Sequence, residues 1–299
     1  MTNPLPLLLF CGDPRRPSAP DSTFEGEVAA ARAQGFETKV FSLEALVAGE
    51  AERALARVPE VEPPAPLAYR GWMVRDFEYR RLYEALVARG YAPVTSPEAY
   101  DEAHYLPLAY PLLEGATAKT AWSYGDDLDE AFRAAASLEP GSLVVKDFVK
   151  SAKHRWREAC FLPDARDRRA FDAVCSALRA ERGERFEKGF VFREYLPLRE
   201  RGASMLGAPL HDELRLFFWR GELLALPAYD ALPGGRASLG RFAELARRFR
   251  SPFLTIDVAL ANDGRWLVVE SGDGGVSGIP PAIDDATFYE ALAGAMRAR

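Results

Sequence analysis

Two acidic residues sit inside apolar, strand-like runs near the end of the chain: Asp257 in Thr255-Ile-Asp-Val-Ala259, and Glu270 in Leu267-Val-Val-Glu270-Ser-Gly-Asp273. A carboxylate set among aliphatic residues loses hydration and needs a cation or hydrogen bonds in return. Asn262-Asp263-Gly264 lies between the runs and signals a hairpin turn. Across a hairpin both carboxylates can face one point, as hard magnesium ligands should. The rival is that each pairs with a neighbouring arginine, a reading weakened by the presence of both on facing strands.

Lys146 closes the run Leu143-Val-Val-Lys146, where an ammonium calls for an anion, either a phosphate or a structural carboxylate. Glu213 and Arg215 are two apart in Glu213-Leu-Arg-Leu-Phe-Phe218 and so share a strand face. That pair suits a guanidinium reaching a phosphate beside an acid that orients it or receives a ribose hydroxyl, although a solvated edge pair has the same pattern. Phe192-Arg193-Glu194-Tyr195-Leu196-Pro197 reads as a strand entering a proline bend, whose backbone could meet an adenine edge. Gly272 to Gly278 lacks both the Gly-x-Gly-x-x-Gly fingerprint after a first strand and the lysine of a P-loop. It is read as lining a site that Glu270 enters. Lys150, Lys153, His154, Arg155 and Arg157 crowd into one short segment, either a solvated flap or a groove for an anionic partner.

Alternating strand and helix signals must position these residues. Leu5–Cys11 reads as a buried strand and Glu37–Ser42 as another, with a helix between them begun by the Ser22-x-x-Glu25 spacing and run to Gly35. A stretch with four prolines, Pro59 to Pro66, precedes a strand over Leu67–Val74. Tyr79, Leu82, Tyr83 and Leu86 form one face of a helix over Asp76–Ala88, stopped by Gly90. A small α/β domain over residues 1–95 follows, and Ser96-Pro97-Glu98 opens the second domain, 96–299, with a helix start. Beyond Gly141 the pattern changes to antiparallel pairs. Leu143–Phe148 pairs with Glu158–Leu162, and a helix bearing Phe171, Val174, Cys175 and Leu178 leads to the strand Phe190–Phe192. Arg220-Gly221-Glu222 joins Glu213–Trp219 to Leu223–Tyr229, the hairpin Phe253–Leu260 and Trp266–Glu270 comes next, and a helix with Phe288, Leu292 and Met296 packs last.

The 299 residues, 48% hydrophobic and 27% charged, suffice for two cored domains. A net charge of −6 argues against a protein that coats duplex DNA. Cys11, Cys160 and Cys175 have no metal or disulfide spacing, and the first apolar run is too short to span a bilayer, so the expectation is a cytoplasmic protein without a membrane partner.

Taken in order, the lysine strand, the Glu194-Tyr-Leu hinge, the Glu-x-Arg strand and the closing Asp plus Glu hairpin resemble the ATP-grasp superfamily. The resemblance is closest to the clade named for one arginine and two lysines, to which Tyr69-Arg70-Gly71-Trp72, Val145-Lys146 and Val149-Lys150-Ser151 are similar. Glu213-Leu-Arg-Leu-Phe-Phe218 and Asp257 to Gly272 are also similar to the eukaryotic cell-division-cycle ATP-grasp protein that assists assembly of a translation initiation factor. The resemblance implies an α/β (α+β) ATP-grasp fold, with a small N-terminal α/β domain and an ATP-grasp domain whose two subdomains hold ATP between them. It implies that Lys146 binds phosphate and that Arg193, Glu194, Tyr195 and Leu196 supply the adenine hinge. Glu213, preferred over Glu200, would hold the ribose, and Arg215 the phosphates. Asp257 and Glu270 would hold Mg2+, the third ligand being Asp273 or water because Gly272 stands where many members carry Asn. Arg70 and Lys150 would close over the triphosphate, Lys150 sharing the face of Lys146 if that strand continues. The implied reaction is transfer of the γ-phosphoryl group to an acceptor, in most members a carboxylate, followed by displacement of phosphate by an amine. The acceptor is expected to be anionic: a peptide, a small carboxylate or an RNA end. An assembly factor and an RNA-end repair enzyme are the alternatives.

Overall fold

A computed structural model describes residues 4–203, 209–232 and 235–298. The chain divides into two compact units, the first made of residues 1–103, 215–256 and 272–299, the second of residues 104–214 and 257–271.

In the first unit, β1 (Leu7–Cys11), β2 (Thr38–Phe41), β3 (Ala65–Arg70) and β4 (Tyr91–Pro93) form a sheet ordered β2-β1-β3-β4 with every neighbour parallel. Every residue of β1 is buried, which is why its sequence is a continuous apolar run instead of an alternation. The helix Asp76–Ala88 lies where its apolar periodicity placed it. Gly90 ends it at φ +85°, and a Cβ there would strike the Val61 carbonyl, so both backbone conformation and space require glycine. The earlier helix differs from expectation: Asp21, not Ser22, accepts from the Thr23 amide, and a 3-10 turn over Ser22–Phe24 precedes the helix Glu25–Ala33. Ser96 caps Pro97–His104 through the Ala99 amide, as the Ser-Pro-Glu signal predicts.

The second unit holds an antiparallel sheet ordered β5-β8-β6-β7, from β5 (Thr120–Tyr124), β6 (Leu143–Asp147), β7 (Phe161–Leu162) and β8 (Gly189–Glu194). Leu143, Val145, Phe190 and Phe192 share one core with Phe171, Cys175 and Leu178 of the helix Arg168–Arg182. Val144 faces Arg193 across the β6/β8 ladder and Lys146 faces Val191, so period-2 alternation puts the lysine and arginine together on the other side. The expected strand from Glu158 is instead the helical turn Trp156–Ala159 followed by β7.

A short pair, β9 (Glu200–Ala203) and β10 (Pro209–His211), precedes a sheet ordered β12-β11-β13-β14, from β11 (Glu213–Trp219), β12 (Glu222–Leu223), β13 (Phe253–Leu260) and β14 (Trp266–Asp273). Arg220 and Gly221, both at positive φ, turn β11 into β12. The second arm ends at Leu223, not at Tyr229, because Pro227 opens the helical turn Pro227–Asp230. The closing helix is Asp285–Arg297, with Phe288, Leu292 and Met296 buried. Among the described residues no helix is long and apolar enough to cross a membrane.

Candidate active site

Lys146 is 8% exposed, and its Nζ lies 3.5 Å from Glu270 Oε1. Burial pushes the ammonium below the usual lysine range; Glu270 pulls it up, while Arg193 pushes it further down. Desolvation therefore outweighs the contact with Glu270, whose side chain remains 37% exposed.

Arg193, on the same sheet face, donates from Nη1 to the Val269 carbonyl at 2.6 Å and from Nη2 to Thr117 Oγ1 at 2.6 Å. Thr117 in turn donates to the Val268 carbonyl, and the Val268 amide donates to Ala116. The guanidinium thus grips β14 one and two residues before Glu270. Desolvation lowers Arg193 to about 10, against the pull of Glu270. Its Nε is buried without a hydrogen-bond partner among the described residues. Lys146 and Arg193 are thus both desolvated and both influenced by Glu270, a setting in which an added anion is favourable.

The strand carrying Lys146 stops at Asp147. The Asp147 carboxylate, wholly buried, accepts from the amides of Val149 and Lys150 through Oδ1 and from Arg182 Nε at 2.7 Å through Oδ2. This turn corrects the expectation for Lys150: it does not continue the strand face of Lys146 but lies exposed beyond the bend. The basic segment after it is partly neutralised, with Arg155 paired to Glu158 and Glu181, and His154 to Glu181.

At the hinge, Glu194 donates its amide to Lys119 O and Tyr195 donates its amide to Ser142 O, so two of the backbone donors expected to meet a ligand serve the sheet. The Glu194 carboxylate lies 3.7 Å from Lys119 Nζ, and the Tyr195 ring joins Trp156 and Phe161 in an aromatic group. Leu196 is half-buried beside them in sequence. Asp257 is half-buried on β13 and Glu213 exposed at the start of β11. Arg215, half-buried, donates from Nη1 to the Gly278 carbonyl at 3.1 Å.

In the first unit, Arg70 is held internally instead of reaching out freely as its sequence setting suggested. It is 2% exposed, with Nε and Nη2 on the two Glu27 oxygens at 2.7 and 2.8 Å and Nη1 on the carbonyls of Gly274 and Ser277 at 3.1 and 2.6 Å. Tyr289 Oη also donates to Glu27. Despite burial, these acidic neighbours raise the guanidinium pKa. The physical reason for the difference is that four of the fork's five N–H groups are already spent on Glu27 and two carbonyls. Sequence reading missed Glu27, which looks like an ordinary first-turn acid in Glu25-Gly-Glu27.

Asp273 is also engaged. Its carboxylate accepts from Thr95 and Ser251 hydroxyls at 3.0 and 2.9 Å and from the Gly275 amide at 2.8 Å, while burial pushes its pKa up to about 6. Among the described residues no group of three or more His, Cys, Asp or Glu is placed to hold a metal ion. Magnesium beside a nucleotide needs only one or two carboxylates, since phosphates and water supply the rest. Asp257 and Glu270, on neighbouring strands of one sheet, fit that requirement in number and kind.

Residues 135–292, more than half of the chain, match the family described as ATP-grasp domain, family 3 of its clade. Among curated proteins none matches the sequence. Similar solved structures include a RimK domain protein ATP-grasp from Sphaerobacter thermophilus, with TM-score 0.56 and 16% identity over 98% of both chains. D-cycloserine synthetase DcsG gives TM-score 0.61 at 16% identity, over 97% of this chain and 99% of that one. ATP-grasp ligase PsnB, complexed with a phosphomimetic variant of its minimal precursor, Mg and ADP, gives 0.56 at 15% identity over 99% of both. At these identities the likeness establishes the ATP-grasp fold.

Proposed function

The chain belongs to the ATP-grasp family, and from that premise we propose that it is an ATP- and Mg2+-dependent ligase that activates a carboxylate by γ-phosphoryl transfer and joins it to an amine. The observation that carries the reading is the cluster of Lys146, Arg193 and Glu270, where burial lowers the pKa of both cations in spite of the acid. The negative charge of a triphosphate would offset that desolvation. Lys146 then contacts phosphate oxygens, and Arg193 holds the β14 backbone that presents Glu270. Asp257 and Glu270 would hold magnesium, and Asp273 is not counted with them because its carboxylate already accepts three hydrogen bonds. Magnesium, when bound, neutralises charge on the β- and γ-phosphates. Lys146 offsets the charge that develops as the acceptor oxygen attacks phosphorus.

We favour a carboxylate-bearing peptide or small molecule as acceptor. PsnB is complexed with a precursor and DcsG is a D-cycloserine synthetase, and both share the fold. His154 and Arg155 are paired internally with Glu181 and Glu158, which leaves Lys150, Lys153 and Arg157 as the basic part of the segment. ATP with magnesium should raise the melting temperature by mass action, and turnover with the right acceptor should release ADP and phosphate. Absence of ATP binding by calorimetry at millimolar concentration would overturn the reading, and release of AMP would replace acyl-phosphate chemistry with nucleotidyl transfer.

A further inference from the structure

The first unit contains a pocket of about 270 Å3 that the nucleotide chemistry does not use. Its lining includes Thr23, Phe24, Glu27, Arg70, Trp72 and Asp285, with Gly71, Val276, Gly278 and Ile279 completing it. The volume falls just below the roughly 300–1,000 Å3 typical of ligand sites, so it suits a small molecule or one side chain.

The charge of the lining selects the ligand. Among the described residues Arg70 is the sole basic member of the lining, and both edges that could grip an anion bidentately are already engaged by Glu27 and backbone carbonyls. Glu27 is balanced by Arg70. Asp285 leaves the pocket one negative charge in excess. Asp284, not Asp285, caps the helix Asp285–Arg297 through the Thr287 amide and hydroxyl, so Asp285 is not needed for the cap. Burial, and then Glu27, push the Asp285 carboxyl up, as expected of an acid awaiting a cation. Gly26, inside a helix where glycine is costly, gives that carboxylate its room: a Cβ at Gly26 would run into it. Two aromatic residues, Phe24 and Trp72, stand in the remaining wall. Trp72 is 44% exposed, and its ring is fixed edge-on to Phe24, centroids 5.3 Å apart, and by Nε1 donating to Asp21 Oδ2 at 3.2 Å. An indole beside a carboxylate is a setting in which ammonium groups bind by cation–π attraction and charge.

We propose that this pocket binds a small organic ammonium, the amine co-substrate of the ligase. The identification as co-substrate rests on the ligase reading above, whereas the cation site stands on the pocket itself. The test titrates benzylammonium chloride, benzyl alcohol and sodium benzoate into the full chain without nucleotide, at low ionic strength, with binding followed by protein NMR. Benzylammonium should bind saturably at least tenfold tighter than the alcohol, and benzoate should not bind. Asp285→Asn and, separately, Trp72→Leu should each weaken benzylammonium at least fivefold while far-UV circular dichroism and MgATP affinity stay unchanged. Equal binding of the three probes, or wild-type affinity in Asp285→Asn, would overturn the proposal. Failure of the ligase reading would appear differently, as loss of MgATP binding in a chain that still takes benzylammonium.

Discussion

Lys146→Met is the most discriminating substitution, because the proposed ligase reading gives the ammonium a functional benefit while its burial gives it a stability cost. Methionine keeps the length and apolar stem but removes the charge. The Lys146 pKa in the fold is below its unfolded value because desolvation exceeds the attraction of Glu270. At 3.5 Å an effective dielectric of 20 gives about 5 kcal/mol of bare attraction. Solvent screening at a carboxylate 37% exposed reduces that well below the bare figure, and Arg193 opposes it. Removing the charge is therefore expected to change stability by no more than about 1 kcal/mol, and in the stabilising direction. The linkage sign agrees: with a depressed folded-state pKa the unfolded chain binds more protons, so wild-type stability rises as pH climbs from the folded pKa toward 10.5. Urea denaturation at pH 7 to 10 should record that rise in wild type and a flatter profile in Lys146→Met. MgATP turnover should fall about 100-fold or more, the scale of roughly 2.7–4 kcal/mol lost with one transition-state charge contact. A loss of more than about 2 kcal/mol in stability with turnover retained would make Lys146 a structural lysine and refute the reasoning.

Glu270→Gln should have the opposite signature, losing magnesium-dependent turnover together with about 1–2 kcal/mol of stability, because Lys146 and Arg193 then lack their counter-ion; denaturation of the double variant with Lys146→Met should recover most of the stability. Arg70→Met should cost about 3–5 kcal/mol in urea denaturation by leaving Glu27 buried and uncompensated, with MgATP affinity of the folded protein unchanged; wild-type stability would refute the tie. Asp273, raised to about 6, carries stability that is fully present below its ordinary value of 3.8 and is lost as pH rises through 6. Asp273→Asn should flatten the stability profile over that window, as read by thermal denaturation from pH 4 to 7.

How far the chain can be read without its structure depends on whether a residue's role is set by local period or by distant partners. The strands Glu213–Trp219 and Phe253–Leu260 and the helix Asp76–Ala88 were legible because apolar period and flanking turn residues agree. The shared face of Lys146 and Arg193 needed the β6/β8 register, which period 2 alone does not supply. Lys150 was misplaced because the side chain of Asp147 ends the strand by capturing two amides, and an aspartate after a lysine in a strand does not announce an Asx-type turn. Arg70 was misread for a longer-range reason. Its partners Glu27, Gly274, Ser277 and, through Glu27, Tyr289 are scattered over most of the chain.

Arg70 and Lys146 differ in how far the protein itself satisfies their charge. Both are buried, yet the acidic neighbours of Arg70 raise its pKa while desolvation lowers that of Lys146. Arg70 meets both oxygens of one carboxylate and two carbonyls within 3.1 Å, so its charge is spent on the protein. Lys146 has a half-exposed carboxylate at 3.5 Å and a second cation on the same face. Burial alone therefore does not separate structure from chemistry. The separating quantity is the unspent part of the charge, and by that measure the anion-seeking group is Lys146; Arg193 spends its Nη1 and Nη2 on Val269 and Thr117 and positions β14, while Arg70 builds the wall beside which Asp285 is left to seek a cation.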